Sequence, residues 1–258
     1  MPNTAAKFAV RRKGVVINMK LIISDTSKAL AVAAAADIAA ALNAAVSKSG
    51  SARMVLSTGA SQLEMFEELI KAPVDWSCVE MFHLDEYIGI PETHPASFRK
   101  YLKERFASKV PLKAAYFVDG TPEGIRTISE KLCEREVDLG VIGIGENGHI
   151  AFNDPPADFE TKDAYIVVNL DERCRRQQVG EGWFNGLEDV PKQAVSMTPY
   201  RIMQCKKIIS VVPYAVKAEA VLNTLENDVT PDIPATLMKT HPDWTLYIDR
   251  DSASLLKK

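Results

Sequence analysis

Short apolar runs alternate with longer amphipathic segments along most of the chain. Segments of helical type cover 27–48 and 61–71, followed by "SFRKYLKERFAS", "PEGIRTISEKLCERE" and "AVKAEAVLNTLEN". The runs of strand type are "KLII", "ARMVLST", "VEMFHLDEY", "AAYFVDG", "DLGVIGIG", "AYIVVNL", "KKIISVVP" and "WTLYID". Strands that alternate with helices predict an α/β fold with a doubly wound, mostly parallel sheet and helices on both faces. Because no linker or repeat breaks the pattern, residues 19–258 are predicted to form a single domain.

Two segments near the N-terminus need separate interpretation. Residues 1–18 carry a basic cluster, Arg11 to Lys13, and the apolar run after it is interrupted by polar residues. That run is too short for the apolar centre of a signal peptide, so we predict that residues 1–18 are a flexible extension ahead of Met19 or result from an upstream start. The Ala-rich stretch from Ala29 to Val46 contains an Asp and an Asn, which favours a packed helix over a membrane span.

The composition is ordinary for a globular protein. The chain has 258 residues, of which 47% are hydrophobic and 25% charged, with a formal net charge of -3. This balance gives no electrostatic basis for binding nucleic acid or an anionic membrane, although one local phosphate pocket is compatible with it. No C-x-x-C pair or Cys/His cluster occurs among Cys78, Cys133, Cys174 and Cys205. We therefore predict neither a metal site nor disulfides, and a reducing, cytoplasmic location.

The stretch "DLGVIGIGENGHIAFNDP" has glycines in the G-x-G-x-x-G spacing of dinucleotide-binding proteins. That fingerprint needs a strand before the glycines and a helix after them. An apolar strand precedes them, but "HIAFNDPPADFE" has two prolines and no helical periodicity, which disfavours a dinucleotide site. Two interpretations remain. The glycines form a structural turn, or Asn147, His149 and Asp154 form a catalytic cluster at a strand end.

Two other strand ends carry polar groups suited to chemistry. Asp85 and Glu86 follow "VEMFHL" at a strand end. Partial burial and mutual repulsion would raise the pKa of one carboxyl, which suits proton transfer. The alternative is that both are solvated acids in a loop. The turn "STGAS" stands between a strand and a helix, where backbone N–H groups and the helix dipole favour a phosphate. A second interpretation of this turn, compatible with the first, is helix capping by Ser61 with Glu64 as its capping-box partner.

Together, "STGAS", "HLDEYIGIPETHPASFRKYL" and "DLGVIGIGENGHIAFNDP" resemble the glucosamine-6-phosphate deaminase/isomerase family in order and spacing. That family is related to the 6-phosphogluconolactonases. The similarity runs from about Met19 to Asp249 and includes "VPKQAVSMTPYRIMQCKKIISVV". It implies ring opening, aldose–ketose isomerisation and deamination of glucosamine 6-phosphate, giving fructose 6-phosphate and ammonia. The implied partner is a small amino sugar phosphate, and no metal, nucleotide or organic cofactor is implied.

The resemblance also implies roles for individual residues. Asp85 would move the proton between C2 and C1 during enolisation, and His149 would move the ring-opening proton. Asn147 and Asp154 stand where the family supports this histidine. Many members carry Asp in place of Asn147 and Glu in place of Asp154. With Asn147, His149 would lose one charged partner, and with Asp154 its other partner is a shorter carboxylate. These differences could lower the pKa of His149, change its orientation or shift the substrate of the protein.

The resemblance further implies a phosphate site on the small-residue turn and on Lys217. The residues of the turn are Ser57, Thr58, Gly59, Ala60 and Ser61. A phosphate arginine is also expected. Arg173, Arg175 and Arg176 lie in the matching region, but "RRQQVGEGWF" departs from the family pattern and selects none of them.

Several alternatives stay open at this point. A 6-phosphogluconolactonase would share the fold and phosphate site, but that branch usually has G-H-T-A-S where this chain has "GHIAFN". A galactosamine-6-phosphate deaminase and a non-catalytic sugar-phosphate-binding protein are further alternatives, and a redox enzyme is the least favoured. The segment "PPADFETKDAY" lacks the basic pair of members activated by N-acetylglucosamine 6-phosphate. We therefore predict no such activation, and a monomer or small homo-oligomer.

Overall fold

The structure is a computed structural model that describes residues 4–12, 15–180 and 182–257. Its strands are β1 (Thr4–Arg12), β2 (Val15–Ser24), β3 (Ala52–Leu56), β4 (Val79–His83), β5 (Asp85–Tyr87), β6 (Ala114–Tyr116), β7 (Leu139–Val141), β8 (Tyr165–Asn169), β9 (Gln193–Met197), β10 (Lys207–Val212) and β11 (Trp244–Asp249). Its α-helices are α1 (Ser27–Ser49), α2 (Leu63–Leu69), α3 (Phe98–Leu102), α4 (Pro122–Cys133), α5 (Glu172–Gly180), α6 (Pro199–Ile202) and α7 (Ala218–Glu226). A π-helical turn, Lys103–Ala107, continues α3.

The main sheet has eight strands in the order β1-β2-β11-β10-β7-β3-β4-β6. Neighbours from β2 to β6 are parallel, and β1 pairs antiparallel with β2. Leu30, Phe66 and Leu102 from α1, α2 and α3 pack on one face, while Leu132 and Val221 from α4 and α7 pack on the other. The predicted α/β fold, with a mostly parallel sheet between helices, is confirmed.

Near the N-terminus, β1 pairs with β2 over its full length, from Thr4 opposite Ile23 to Arg12 opposite Val15. The flexible extension predicted for residues 1–18 stays a prediction, and its residues 1–3 and 13–14 lie outside the described part of the chain. The single domain over 19–258 also stays a prediction.

By length and composition, α1 could cross a membrane. Its Leu30, Ile38 and Leu42 are nevertheless completely buried in the core. The helix begins at Thr26, whose side chain accepts a hydrogen bond from the Ala29 N–H, and it ends at Gly50 in a left-handed conformation. These contacts match the packed core helix predicted from the sequence.

The four cysteines are free thiols in the structure. Cys174 and Cys205 are buried in the core, whereas Cys133 is exposed. The predicted cytoplasmic location stays a prediction.

A second, three-stranded antiparallel sheet has the order β5-β9-β8. The sequence pattern predicted one strand through "VEMFHLDEY", but β4 ends at His83 and β5 begins after Leu84 and pairs with β9. The strand β9 and the helix α5 were not predicted. The smaller sheet packs with an aromatic cluster that includes Tyr87, Phe152 and Phe184. This arrangement places Asp85 at the junction of the two sheets.

The order of the main strands has a switch point between β3 and β7. From β3 the chain continues towards β4 on one side, and from β7 it returns, after the smaller sheet, to β10 on the other. In open parallel sheets, ligands bind outside the carboxyl ends of the strands at such a point. The loops that leave β3 and β7 contain "STGAS" and "GENGHIAFND". The topology therefore brings the two predicted loops together.

Candidate active site

A cavity of about 340 Å³ opens at the switch point. Its volume lies within the range of about 300–1,000 Å³ that is typical of small-molecule sites. Its lining includes the whole turn Ser57–Ser61, Asp85, His149 and Lys217. Side chains predicted from four separate loops are thus brought to one place. Asn147 and Asp154 are not among the described lining residues, because they lie behind His149.

The turn Ser57–Ser61 connects β3 to a short 3-10 turn, Ala60–Gln62, which continues as α2. Gly59 has φ 108° and ψ 162°, a conformation that residues with a Cβ rarely adopt. Its carbonyl oxygen accepts a hydrogen bond from the hydroxyl of Tyr101 at 2.7 Å. Ser57 Oγ accepts from the Gly143 N–H at 3.1 Å. These contacts fix the start of the helix at the cavity wall, an arrangement that favours an anion.

The capping-box interpretation of this turn is wrong. Ser61 Oγ accepts a hydrogen bond from Gln62 Nε2 at 2.9 Å, and α2 begins without a side-chain cap. Glu64 is engaged elsewhere, since its Oε1 accepts from Ser27 Oγ at 2.9 Å and from Tyr214 Oη at 3.1 Å. Ser61 remains on the cavity wall, where its hydroxyl can contact a ligand.

Lys217 is buried and ends the 3-10 turn Ala215–Lys217 that follows β10. It is the one cationic side chain among the described residues that line the cavity. The structure does not place the expected arginine there. Arg175 donates to the carbonyls of Leu187 and Val190, and the exposed Arg176 pairs with Glu172, so neither lines the cavity in the described part of the chain. The side chain of Arg173 lies outside what the structure describes.

Asp85 is the first residue of β5 and only 6% of its surface is exposed. Burial raises the pKa of its carboxyl to about 8, and the adjacent Glu86 carboxylate contributes to the rise. A carboxyl with such a pKa can accept and return a proton near neutral pH. Since Asp85 lines the cavity, it is placed to exchange that proton with a bound ligand.

Glu86 has a different environment although it is the next residue in the chain. Its carboxylate is buried at the start of α3, where it accepts hydrogen bonds from Ser97 Oγ and from three backbone N–H groups. The Arg99 side chain pairs with it at 3.1 Å. The interpretation of Asp85 and Glu86 as solvated loop acids is therefore wrong for both. One carboxyl reaches the cavity, and the other holds a helix start next to it.

We expect Glu86→Gln to destabilise the fold by about 2–4 kcal/mol, because it leaves the partly buried Arg99 without its counter-charge and weakens several hydrogen bonds to the buried Glu86 carboxylate. The free energy of unfolding in urea measures the effect. Glu92→Gln is the matched control, since Glu92 pairs with Lys103 at the surface and should change stability by less than about 1 kcal/mol. Equal losses in the two variants would contradict the assignment.

His149 contacts the Asp154 carboxylate through its imidazole ring. Its Nδ1 lies 3.2 Å from Oδ1 of Asp154. Burial opposes ionisation of Asp154, but the contacts with His149 and then Asn147 outweigh it, and the pKa of Asp154 lies below its ordinary value. The Asp154 carboxylate at Nδ1 fixes the orientation of the ring. Nε2 is then the ring nitrogen that remains for contact with a ligand.

Asn147 bridges the backbone of His149 and the side chain of Asp154. Its Oδ1 accepts from the His149 N–H at 3.1 Å, while its Nδ2 donates to Asp154 Oδ1 at 3.2 Å. A second carboxylate at this position could not donate and would repel Asp154. The amide at 147 and the short carboxylate at 154 therefore form a compatible pair.

Two glycines of the motif, Gly145 and Gly148, shape this histidine loop. A Cβ at Gly145 would lie 2.2 Å from Cε1 and Nε2 of His149, so the imidazole packs directly on the backbone of that glycine. Gly148 has φ 83°, and a Cβ there would meet Ile233 at 2.9 Å. No helix follows in residues 149–160, so the helix that a dinucleotide fingerprint requires is missing.

Gln178, Trp183 and Tyr214 are among the lining residues that were not predicted. Gln178 and Trp183 come from "RRQQVGEGWF", the segment that departs from the family pattern, and Tyr214 precedes Lys217 by three residues. The departure of this segment from the family pattern could have indicated Gln178 and Trp183 as site residues. Nothing in the local sequence around Tyr214 indicated that this residue would line the cavity.

Comparison with known proteins identifies the family. Residues 25–247 match the family described as glucosamine-6-phosphate isomerases/6-phosphogluconolactonase. The chain belongs to this family. The glucosamine-6-phosphate deaminase of Lactobacillus delbrueckii subsp. bulgaricus is 34% identical over 214 residues, covering 81% of this chain and 89% of the relative. The Streptococcus pneumoniae protein of the same name is 34% identical over 213 residues, with the same coverage.

Solved structures of the family share the fold. A monomeric glucosamine-6-phosphate deaminase superposes with a TM-score of 0.82 at 28% identity, covering 91% of this chain and 99% of that one. The 6-phosphogluconolactonase from Trypanosoma brucei superposes with a TM-score of 0.76 at 16% identity, covering 92% and 98%. The second likeness concerns the fold alone. The resemblance inferred from the three loops is thereby confirmed.

Proposed function

We propose that this protein converts glucosamine 6-phosphate and water to fructose 6-phosphate and ammonia. One observation carries the proposal: the buried carboxyl of Asp85, whose pKa burial raises to about 8, lines the same cavity as His149 and the Ser57–Ser61 turn. The proposal is supported by the two relatives named above, which are glucosamine-6-phosphate deaminases.

In the proposed reaction the phosphate lies between the Ser57–Ser61 turn and Lys217. Backbone N–H groups at the start of a helix and one ammonium group suit a dianion. Among the described lining residues, Lys217 supplies the cationic side chain, and the start of the helix would add its backbone N–H groups. Binding of the phosphate then holds C1 and C2 of the sugar next to Asp85 and His149.

His149 would open the ring by taking the proton of the C1 hydroxyl and returning a proton to the ring oxygen. Asp154 and Asn147 hold the imidazole for this step through the contacts described above. We infer that Asn and Asp at these two positions preserve the function of the histidine, because the amide donates to the carboxylate instead of repelling it.

Asp85 would then move a proton between C2 and C1 of the open chain. As an ionised carboxylate it removes the C2 proton, and as a carboxylic acid it delivers a proton to C1. The C–N bond at C2 becomes an imine, to which water adds, and ammonia leaves as the ketose forms. The positively charged amino group of the bound substrate favours the ionised form of Asp85, which lowers its pKa at the start of the cycle.

The deciding experiment is a paired assay of ammonia and fructose 6-phosphate. We expect glucosamine 6-phosphate to give the two products in equal amounts, and galactosamine 6-phosphate and 6-phosphogluconolactone to react at least about tenfold more slowly in kcat/KM. Lactone hydrolysis without ammonia release would contradict the proposal in favour of a lactonase. Preferred turnover of the galacto epimer would correct the substrate. Heat stabilisation by glucosamine 6-phosphate without turnover would indicate a binding protein.

Two consequences accompany the proposal. N-acetylglucosamine 6-phosphate is not expected to activate the enzyme, because the basic pair used by activated members is missing from the sequence. A monomer or small homo-oligomer in the cytoplasm stays the prediction, and one solved relative is described as monomeric.

A further inference from the structure

Tyr214 has a backbone conformation that bulky residues rarely hold. Its φ is 79° and its ψ 146°, a region that glycine occupies readily and a residue with a Cβ does not. Its N–H donates to both carboxylate oxygens of the buried Asp249, at 3.2 and 3.1 Å, and the Ser252 N–H donates to the same carboxylate at 2.8 Å. The contacts hold the turn in place. A tyrosine where glycine would be unstrained indicates that its side chain has a use.

The side chain of Tyr214 lines the cavity and also contacts Glu64. Its hydroxyl lies 3.1 Å from Oε1 of Glu64, which also accepts from Ser27 Oγ. Burial, followed by the Glu64 charge, raises the pKa of Tyr214 to about 12, so the hydroxyl is protonated at neutral pH and donates this bond. The ring therefore connects the cavity wall to a carboxylate outside it.

Glu64 belongs to the first turn of α2, three residues after Ser61. Its carboxylate thus carries a negative charge close to the helix start where the phosphate is proposed to bind. Like charges repel strongly where protein replaces water. A group that holds this carboxylate and partly neutralises it would strengthen phosphate binding, and Tyr214 and Ser27 are the groups that hold it.

We propose that Tyr214 is a specificity-determining residue for phosphate-bearing ligands. It forms the wall beside Lys217 and keeps the Glu64 carboxylate directed away from the cavity. The inference rests on the proposed function only in requiring that the ligand carries a phosphate. It goes beyond that function by assigning phosphate selectivity to a residue outside the phosphate turn.

The test uses Tyr214→Phe, Glu64→Gln and the double variant. Tyr247→Phe is the matched control, because the Tyr247 hydroxyl also bonds a carboxylate, Asp37 Oδ2 at 3.0 Å, away from the described cavity lining. The affinity for inorganic phosphate is obtained from the dependence of the unfolding temperature on phosphate concentration. KM and kcat for glucosamine 6-phosphate are measured in parallel.

We expect Tyr214→Phe to weaken phosphate binding and raise KM by about five- to tenfold with kcat within about twofold. Adding Glu64→Gln should restore both to within about twofold, because the charge that the hydroxyl restrained is gone. Glu64→Gln alone should bind phosphate at least as tightly as the unmodified protein, and Tyr247→Phe should bind it unchanged.

The inference is overturned if Tyr214→Phe leaves phosphate affinity unchanged, if Glu64→Gln does not rescue it, or if the unmodified protein shows no stabilisation by inorganic phosphate. The expected pattern with inorganic phosphate, but without turnover of glucosamine 6-phosphate, would support the inference while contradicting the proposed function. Turnover without the pattern would leave the function standing and overturn the inference.

Discussion

Asp85→Asn is expected to lower kcat for glucosamine 6-phosphate by at least about 1,000-fold. An amide of nearly the same shape cannot accept the C2 proton, and general acid–base catalysis by one positioned group contributes about 10²–10⁴-fold. The loss should fall on kcat rather than on KM, since the phosphate turn and Lys217 are unchanged. The measurement is steady-state ammonia release by the purified variant, with its folding checked by circular dichroism.

The matched control for this variant is Glu146→Gln. Glu146 is the other carboxyl among the described lining residues, but it is half-exposed rather than buried. Its replacement should cost less than about tenfold, because a solvated carboxylate is less well placed for proton transfer. If the two variants lost activity equally, Asp85 would have no special role in the reaction.

Asp85→Asn should also become more stable relative to the parent protein as the pH rises. The folded-state pKa of Asp85, about 8, lies above its ordinary value of 3.8, so the folded protein retains a proton that the unfolded chain releases between these values. Stability contributed by Asp85 is therefore present below about pH 4 and lost as the pH rises to 8. Asn has no proton to lose. Asp85→Asn should gain about 2–4 kcal/mol relative to the parent between pH 5 and 8, moderated by water in the cavity.

Asp154→Asn should behave in the opposite sense. The pKa of Asp154 is lowered, so its stabilising contribution is present above the ordinary carboxyl pKa and lost only in acid. The deficit of Asp154→Asn should stay nearly constant between pH 5 and 8, while the gain of Asp85→Asn grows. Urea unfolding at pH 5, 6.5 and 8 separates the two, and a gain at Asp85 that does not depend on pH would refute the buried, proton-binding carboxyl.

Much of the fold follows from local pattern. The buried strand β10 consists mostly of Ile and Val, and α1 has both a capping residue and a terminal glycine, so each is encoded within its own segment. The smaller sheet is not encoded in this way. Its strand β5 has three residues, two of them acidic, and its strand character comes from pairing with β9, which is more than a hundred residues away in sequence.

The same distinction applies to the site. The turn Ser57–Ser61 and His149 stand at strand ends, and the rule for parallel sheets brings strand ends together. The separation of Asp85 from Glu86 depended on α3, whose start binds one carboxylate and leaves the other facing the cavity. The position of Tyr214 could not be predicted from the sequence, because its backbone has a positive φ and its N–H donates to Asp249, a residue distant in sequence.

Gly145→Ala is expected to reduce kcat/KM by at least about 100-fold while the protein remains folded. The new Cβ would lie 2.2 Å from two ring atoms of His149, far inside contact distance. The backbone cannot easily yield, because the Gly145 N–H donates to the His149 carbonyl at 2.9 Å and its own carbonyl accepts from the Gly148 N–H at 3.0 Å. The imidazole must therefore rotate away from Asp154, at a stability cost of about 1–3 kcal/mol.

Gly143→Ala separates this explanation from a general need for glycine in the motif. A Cβ at Gly143 would make only ordinary contacts, 3.5 Å to Gln62 Nε2 and 3.6 Å to Ser57 Oγ, so less than about a tenfold loss is expected. A dinucleotide-type loop would require the first glycine as strictly as the second, because the first forms the tight turn and the second lets the backbone approach the pyrophosphate. Equal losses from Gly143→Ala and Gly145→Ala would therefore show that the spacing serves a ligand. A loss confined to Gly145 would show that it makes room for the imidazole of His149.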